Sequence, residues 1–222
     1  MAGDGRLKIK NALISVSDKS SLEELVTFLD QNNVSIFSTG GTAKFIESFG
    51  INVKQVSEIT NFPEIMDGRV KTLNPLIYGG ILNRSGIDDH IQKEHGMINL
   101  DLMVINLYPF EETISENVSE LDAIENIDIG GPSMIRASAK NFYNKAILTD
   151  PDDYQSFINE LQNNDCSISE ETRRNLAVKA FKRTAMYDSV IHGFFSDKTD
   201  KESIPEEIPL GLKKISSLRY GE

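Results

Sequence analysis

Ala12-Leu13-Ile14-Ser15-Val16-Ser17-Asp18-Lys19 is an apolar run that breaks into hydroxyls, a carboxylate and an ammonium. Residues 12–16 are short and apolar enough for a buried strand. Ser20 and Glu23 then show the S-x-x-E spacing of a helix N-cap box. Leu22, Leu25, Val26 and Leu29 follow at helical spacing. The stretch reads as strand, polar loop, helix. The unit recurs: residues 34–38 (VSIFS) read as a strand and 42–49 (TAKFIESF) as a helix ended by Gly50. Further strands are expected at 101–107 (DLMVINL) and 145–149 (KAILT). A Gly-Gly-Pro turn at 130–132 leads into another helix. Apolar strands alternating with amphipathic helices predict an α/β fold with a mostly parallel sheet covered on both faces. Residues 151–163 and 169–195 read as helices with no clear strand between them, a helical C-terminal extension.

Bulk properties narrow the function. Lys plus Arg number 23 against 34 Asp plus Glu, a formal net charge of -11 across 222 residues. Such a surface repels nucleic acid and anionic membrane, so neither is an expected partner. The lone cysteine, Cys166, excludes an internal disulfide, and its neighbours read as a polar loop. His90, His95 and His192 are too scattered for a metal site. No apolar run reaches the roughly 20 residues of a membrane helix. Met1–Lys10 lacks the apolar core of a signal peptide, so a cytoplasmic location is expected.

In parallel sheets, ligands bind beyond the carboxyl ends of the strands. Five segments fall there. Ser15, Ser17, Asp18 and Lys19 follow the first strand. Ser38-Thr39-Gly40-Gly41-Thr42 joins the second strand to its helix, where glycines bring N–H groups close to an oxyanion and the helix dipole favours it. Arg69-Val70-Lys71-Thr72 concentrates two cations in an acidic chain. Asn106-Leu107-Tyr108-Pro109-Phe110 ends the 101–107 strand. Asp128-Ile129-Gly130-Gly131-Pro132-Ser133 precedes Arg136 and Lys140. Three anion loops on one sheet point to a phosphomonoester.

Together the strings SVSDK, TGGTAK, GRVKTLNP, NLYPF and DIGGPSMIRASAKN resemble, in order, the inosine monophosphate cyclohydrolase half of the bifunctional enzyme for the last two steps of purine nucleotide synthesis. The resemblance covers roughly residues 10 to 220 and implies a methylglyoxal-synthase-like three-layer fold. It implies dehydrative ring closure of a formamido-imidazole-carboxamide ribonucleotide, without cofactor or metal. It implies that Ser17, Asp18, Lys19, Thr39, Gly40, Gly41, Thr42, Arg69, Lys71 and Thr72 line a nucleotide site, with Ser15, Ser38, Val70 and Gly130 beside them. By the same likeness Asn106, Asp128 and Ile129 meet the base, and Lys71, Tyr108, Asp128 and Lys140 match the catalytic positions. Asn74 departs from the family's usual histidine and cannot titrate.

A helix from 132 to 140 would span about 12 Å, too far for Asp128 and Lys140 to share one site in one subunit. A homodimer with Lys140 acting in trans is therefore expected, unless the helix ends early. Expected divisions are an arm at 1–10, the cyclohydrolase domain at 11–196, and a linker at 197–222. The tail Leu218-Arg219-Tyr220-Gly221-Glu222 resembles the opening of the formyltransferase half, so the natural chain is expected to be fused to that domain. Two alternatives share the fold: a methylglyoxal synthase, and a nucleotide-sensing regulatory module. The Tyr108 segment and the Lys140 helix match the cyclohydrolase rather than the first. The second needs no Lys71, Tyr108, Asp128 and Lys140 set.

Overall fold

The computed structural model describes residues 5–66, 69–108, 110–115, 118–196 and 206–217. Its centre is a five-stranded, wholly parallel sheet. The strands are β2 (Asn11–Ser15), β3 (Ser35–Ser38), β4 (Val53–Gln55), β5 (Leu102–Ile105) and β6 (Ala146–Leu148). They lie in the order β4-β3-β2-β5-β6, so β2 is central and its carboxyl end is flanked by those of β3 and β5.

Alternation of side chains decides the layers. Ala12, Ile14, Ile36, Leu102, Val104, Ala146 and Leu148 share one core with Leu22, Leu25 and Leu29 of α1 (Leu22–Gln31) and Phe157 and Leu161 of α9 (Tyr154–Asn163). Their neighbours Leu13, Phe37, Met103, Ile105 and Ile147 are equally buried and face the other way. They meet the layer made by α4 (Pro75–Leu82) and α8 (Gly130–Lys140). Each fully buried aliphatic side chain contributes about 1.5–3 kcal/mol. The α/β three-layer architecture is the one expected, with every strand of the central sheet parallel.

The remaining helices are α2 (Gly40–Glu47), α3 (Val56–Thr60), α5 (Asp89–Glu94), α6 (Phe110–Ser115), α7 (Glu120–Glu125) and α10 (Glu170–Ser196). The chain divides into two compact units, Met1–Tyr108 with Asp128–Phe181, and Pro109–Ile127 with Lys182–Glu222. In the second, Phe110 meets Tyr187 and Phe194 edge-on at 6.3 and 5.6 Å. Lys213 there pairs with Glu111 at 2.8 Å, and residues 206–217 carry no helix or strand. The rest of the linker assignment, 197–205 and 218–222, lies outside the described residues, as do Met1–Asp4, Asp67, Gly68 and Pro109.

Four expectations need correction. Ser20 does not cap α1: its N–H is taken by the Asp18 carboxylate, and Ser21 enters the helix in the left-handed region. Gly130 and Gly131 are not a turn before α8 but its first residues. A strand does separate α9 from α10: β7 (Ser167–Ile168) pairs antiparallel with β1 (Leu7–Lys8), too short to read from periodicity. Cys166 has polar neighbours but is itself buried, with burial pushing its thiol up.

At the amino edge of the sheet Lys145 is buried and donates to Asn83 Oδ1 at 2.6 Å and to Asn99. Burial brings its amine down to about 8, against the pull of Asp101. This network lies at the edge opposite the five segments singled out above.

Candidate active site

The carboxyl end of β2 is stitched to both neighbours. Asn106, just past β5, accepts from the Ser17 and Asp18 N–H groups at 2.7 and 3.0 Å. Its amide nitrogen donates to the Asp18 carbonyl at 2.7 Å. On the other side Thr42 Oγ1 donates to the Val16 carbonyl at 3.0 Å and accepts from the Val16 N–H at 3.2 Å. Ser38 is fully buried, its hydroxyl given to the Ile14 carbonyl at 2.7 Å. The side chains of Asn106, Thr42 and Ser38 are therefore engaged in shaping the turn. A buried amide that satisfies three backbone groups is costly to lose. Asn106→Ala is expected to destabilise the fold by about 2 kcal/mol. Urea unfolding with an unchanged midpoint would contradict this.

What remains open at this rim is mostly backbone. Thr39 is extended at the N-cap of α2 with no side-chain cap bond, and Gly40 takes φ +50. The helix dipole is favourable to an anion there. Asp18 is exposed, and hydrogen bonds from the Ser20 hydroxyl and N–H hold its carboxyl below the usual range. The Lys19 ammonium sits 6.0 Å over the Phe45 ring. Ser15 and Ser17 are half-buried beside them.

A second half of the rim is built around Asp128. Its Oδ1 accepts from the Gly131 N–H at 2.8 Å, at the start of α8. Burial pushes its carboxyl above the usual range, opposed by bonds from Gly131 and Gly130 and by the nearby Lys71 ammonium. Gly131 has no room for a side chain: a Cβ would lie 2.2 Å from Asp128 Oδ2 and 2.8 Å from Leu107. That approach places Asp128 against the segment following β5. Thr72 is buried, its hydroxyl 2.8 Å from where a Gly130 Cβ would stand. Lys71 pairs loosely with Glu64 at 3.8 Å, Val70 bridges to Ile65, and Arg69 is exposed. Ile129 is exposed at the N-cap of α8. Tyr108 is 49% exposed at the end of the β5 segment.

A chain of contacts thus joins the segments after β2, β3 and β5 to the Lys71 and Asp128 loops. Lys140 is not brought to this rim. The helix α8 is unbroken from Gly130 to Lys140, so Lys140 is exposed one helix length away. The helix does not end early, so Lys140 does not reach this rim within its own chain.

Sequence reading did not single out Tyr78, and it named Ser133 only as the end of the Asp128 segment. The Tyr78 hydroxyl donates to Ser133 Oγ at 2.7 Å, and burial pushes the phenol up, with Asp128 adding to it. The available signal was Asn74-Pro75, a capping residue before a proline at the first helical position. Asn74 is that cap: its Oδ1 accepts from the Leu76 N–H at 2.9 Å. Its lack of a titrating group thus coincides with a structural task. Among the described residues no His, Cys, Asp and Glu group is arranged to hold a metal, and no helix is long and apolar enough to cross a membrane.

The family model described as "MGS-like domain" matches residues 21–133, and that described as "AICARFT/IMPCHase bienzyme" matches residues 138–222. The chain is similar to "Bifunctional purine biosynthesis protein PurH" of Xanthomonas euvesicatoria pv. vesicatoria (strain 85-10), 47% identical over 97% of this chain and 42% of that protein. The same values hold for the protein of that name from Xanthomonas campestris pv. campestris (strain 8004). The chain therefore spans less than half the length of these curated relatives. Among solved structures it is similar to "Crystal structure of ForH", with a TM-score of 0.73 and 32% identity, covering 84% of this chain and 98% of that one. The MGS-like match spans half of the chain and agrees with the parallel sheet described above, while residues 138–222 are similar to the AICARFT/IMPCHase bienzyme: the chain belongs to the MGS-like domain family.

Proposed function

We propose that this chain is an IMP cyclohydrolase, closing 5-formamido-1-(5-phosphoribosyl)imidazole-4-carboxamide to inosine monophosphate with loss of water. The observation that carries the reading is the half-buried Asp128 carboxylate, accepting from the first turn of α8 and within the field of Lys71, on the same rim as the open N-terminus of α2. The α2 N–H groups with Lys19 and Arg69 suit a monophosphate. Both reacting groups sit on one ring, so holding the rotamer that faces them supplies much of the rate.

The carboxamide nitrogen attacks the formyl carbon and loses a proton, for which Asp128 is the acceptor. The formyl oxygen takes up a proton, for which Tyr108 is the proposed donor and Lys71 the proposed polarising cation. The resulting carbinolamine loses its hydroxyl as water with the proton held by Asp128, while the N–H of the former formamido nitrogen returns a proton to Tyr108 as the C=N bond forms, so the second ring is complete and both side chains are restored. Nothing is oxidised and no group is transferred, so the step calls for no cofactor or metal. Lys140 enters from a second copy of the chain in a homodimer. Formyl transfer is not assigned to these residues, and a fused formyltransferase domain remains part of the proposal for the whole protein. An acidic chain with one buried thiol fits the cytoplasm.

An absorbance assay with the formamido nucleotide tests the reading. Purified protein is expected to accelerate ring closure well beyond buffer, and no acceleration would end it. The MGS-like match favours one competitor, a methylglyoxal-forming lyase. Methylglyoxal from triose phosphate, without ring closure, would establish that instead.

A further inference from the structure

We infer that Tyr78 and Ser133 are positioning residues, a hydroxyl clamp between α4 and α8 that sets how Lys71 and Asp128 face each other. For its kinetic readout the inference rests on the ring-closing reading above.

The two helices are matched in construction. Each is preceded by one charged member of the pair: Lys71 before α4, which starts at Pro75, and Asp128 before α8, which starts at Gly130. The fourth residue of α4 is Tyr78, the fourth of α8 is Ser133, and these two share the 2.7 Å hydrogen bond. At the opposite ends, Asn141 past α8 donates to the Ile81 and Asn83 carbonyls of α4, each at 2.9 Å. The helices are therefore parallel neighbours, pinned at both ends, with their N-termini side by side. Two positive dipole ends together repel each other and favour a carboxylate or bound anion between them. Asp128 accepts from the first turn of α8 and is near enough to α4 to act on the Tyr78 phenol. The Thr72 hydroxyl touching the Gly130 position shows how little slack the two loops have. Without the Tyr78–Ser133 bond the N-terminal ends would splay, while the Asn141 bonds would still hold the far ends. Lys71 and Asp128 would then drift, although neither clamp hydroxyl touches the reacting atoms.

The test is Tyr78→Phe, Ser133→Ala and their double variant, with Ser133→Thr retaining the hydroxyl. Each single loss is expected to lower kcat about tenfold with KM within about twofold, because misplacement affects the transition state more than binding. The double variant should be no worse than the poorer single, since the two hydroxyls act as one unit. Ser133→Thr should keep kcat near the parent value. A second readout needs no activity: the Asp128 carboxyl, followed by ¹³C NMR, should titrate lower in Tyr78→Phe as water reaches it. An unmoved Asp128 titration, or kcat losses that multiply in the double variant, would overturn the clamp. A titration shift in Tyr78→Phe, together with a wild type that closes no ring, would instead overturn the enzymatic assignment and leave the clamp standing.

Discussion

Asp128→Asn is expected to lower the ring-closure rate by about a thousandfold, within the range a positioned general base supplies. Asparagine has nearly the same shape and keeps an oxygen for the Gly131 N–H, so only proton acceptance is removed. The wild-type rate should also depend on pH in a stated direction. The active form is the carboxylate, and burial has raised its pKa above the usual range. Activity should therefore fall on the acid side, with a midpoint higher than an exposed aspartate would give. The stability linkage has the opposite sign from that of a salt-bridged carboxylate. A raised folded-state pKa means the folded chain binds the proton more tightly, so ionising Asp128 costs stability above its folded pKa. Removing the charge removes that cost. Asp128→Asn should melt at or above the wild-type temperature at neutral pH. A variant that melts lower, or one that retains wild-type turnover, would contradict this account.

Lys140→Ala is expected to reduce turnover at least about a hundredfold and to be rescued by mixing. The length of α8 puts Lys140 far from its own Asp128. If each site takes Asp128 from one subunit and Lys140 from the other, an Asp128→Asn/Lys140→Ala heterodimer has one intact site and one doubly altered site. Random reassortment makes half of the dimers mixed, so about one quarter of wild-type activity should return. Neither parent alone should approach that. No recovery after verified subunit exchange would place Lys140 outside the site. An elution volume fitting only a monomer at assay concentration would do the same.

Legibility in the sequence followed burial. β2, β3, β5 and β6 were readable because strands covered on both faces are nearly continuous apolar runs. β4 was missed because it is a three-residue edge strand with one exposed residue. α4 was missed for a different reason. Its sequence, PLIYGGIL, places two poor helix formers in the middle, and only tertiary packing explains them. A Cβ at Gly80 would stand 2.3 Å from the Ile98 carbonyl, so the glycine is set by a neighbour that local sequence cannot show. The site divides in the same way. The α2 loop stood out because it follows a strand, whereas Lys71 and Asp128 stood out by residue type alone, since each precedes a helix and follows another helix rather than a strand. The inward turn of Ser38, Thr42 and Asn106 was not legible, because a hydroxyl or amide at a strand end can serve either a ligand or the chain itself. Tyr78 carries no motif and Ser133 only closes the Asp128 segment, so the pairing of two helices is what joins them.

The small antiparallel sheet has a consequence for the order of folding. Beside the β1–β7 pairing, Lys8 and Asp165 form an ion pair across 157 positions, and Arg173 on α10 reaches back to the Gly5 carbonyl at 2.9 Å. Closing so long a loop is entropically costly until the intervening chain is compact. This seam should therefore zip last, after the parallel sheet has gathered, and a nascent chain still lacking β7 and α10 would have neither the partner of its first strand nor the arginine that reaches Gly5.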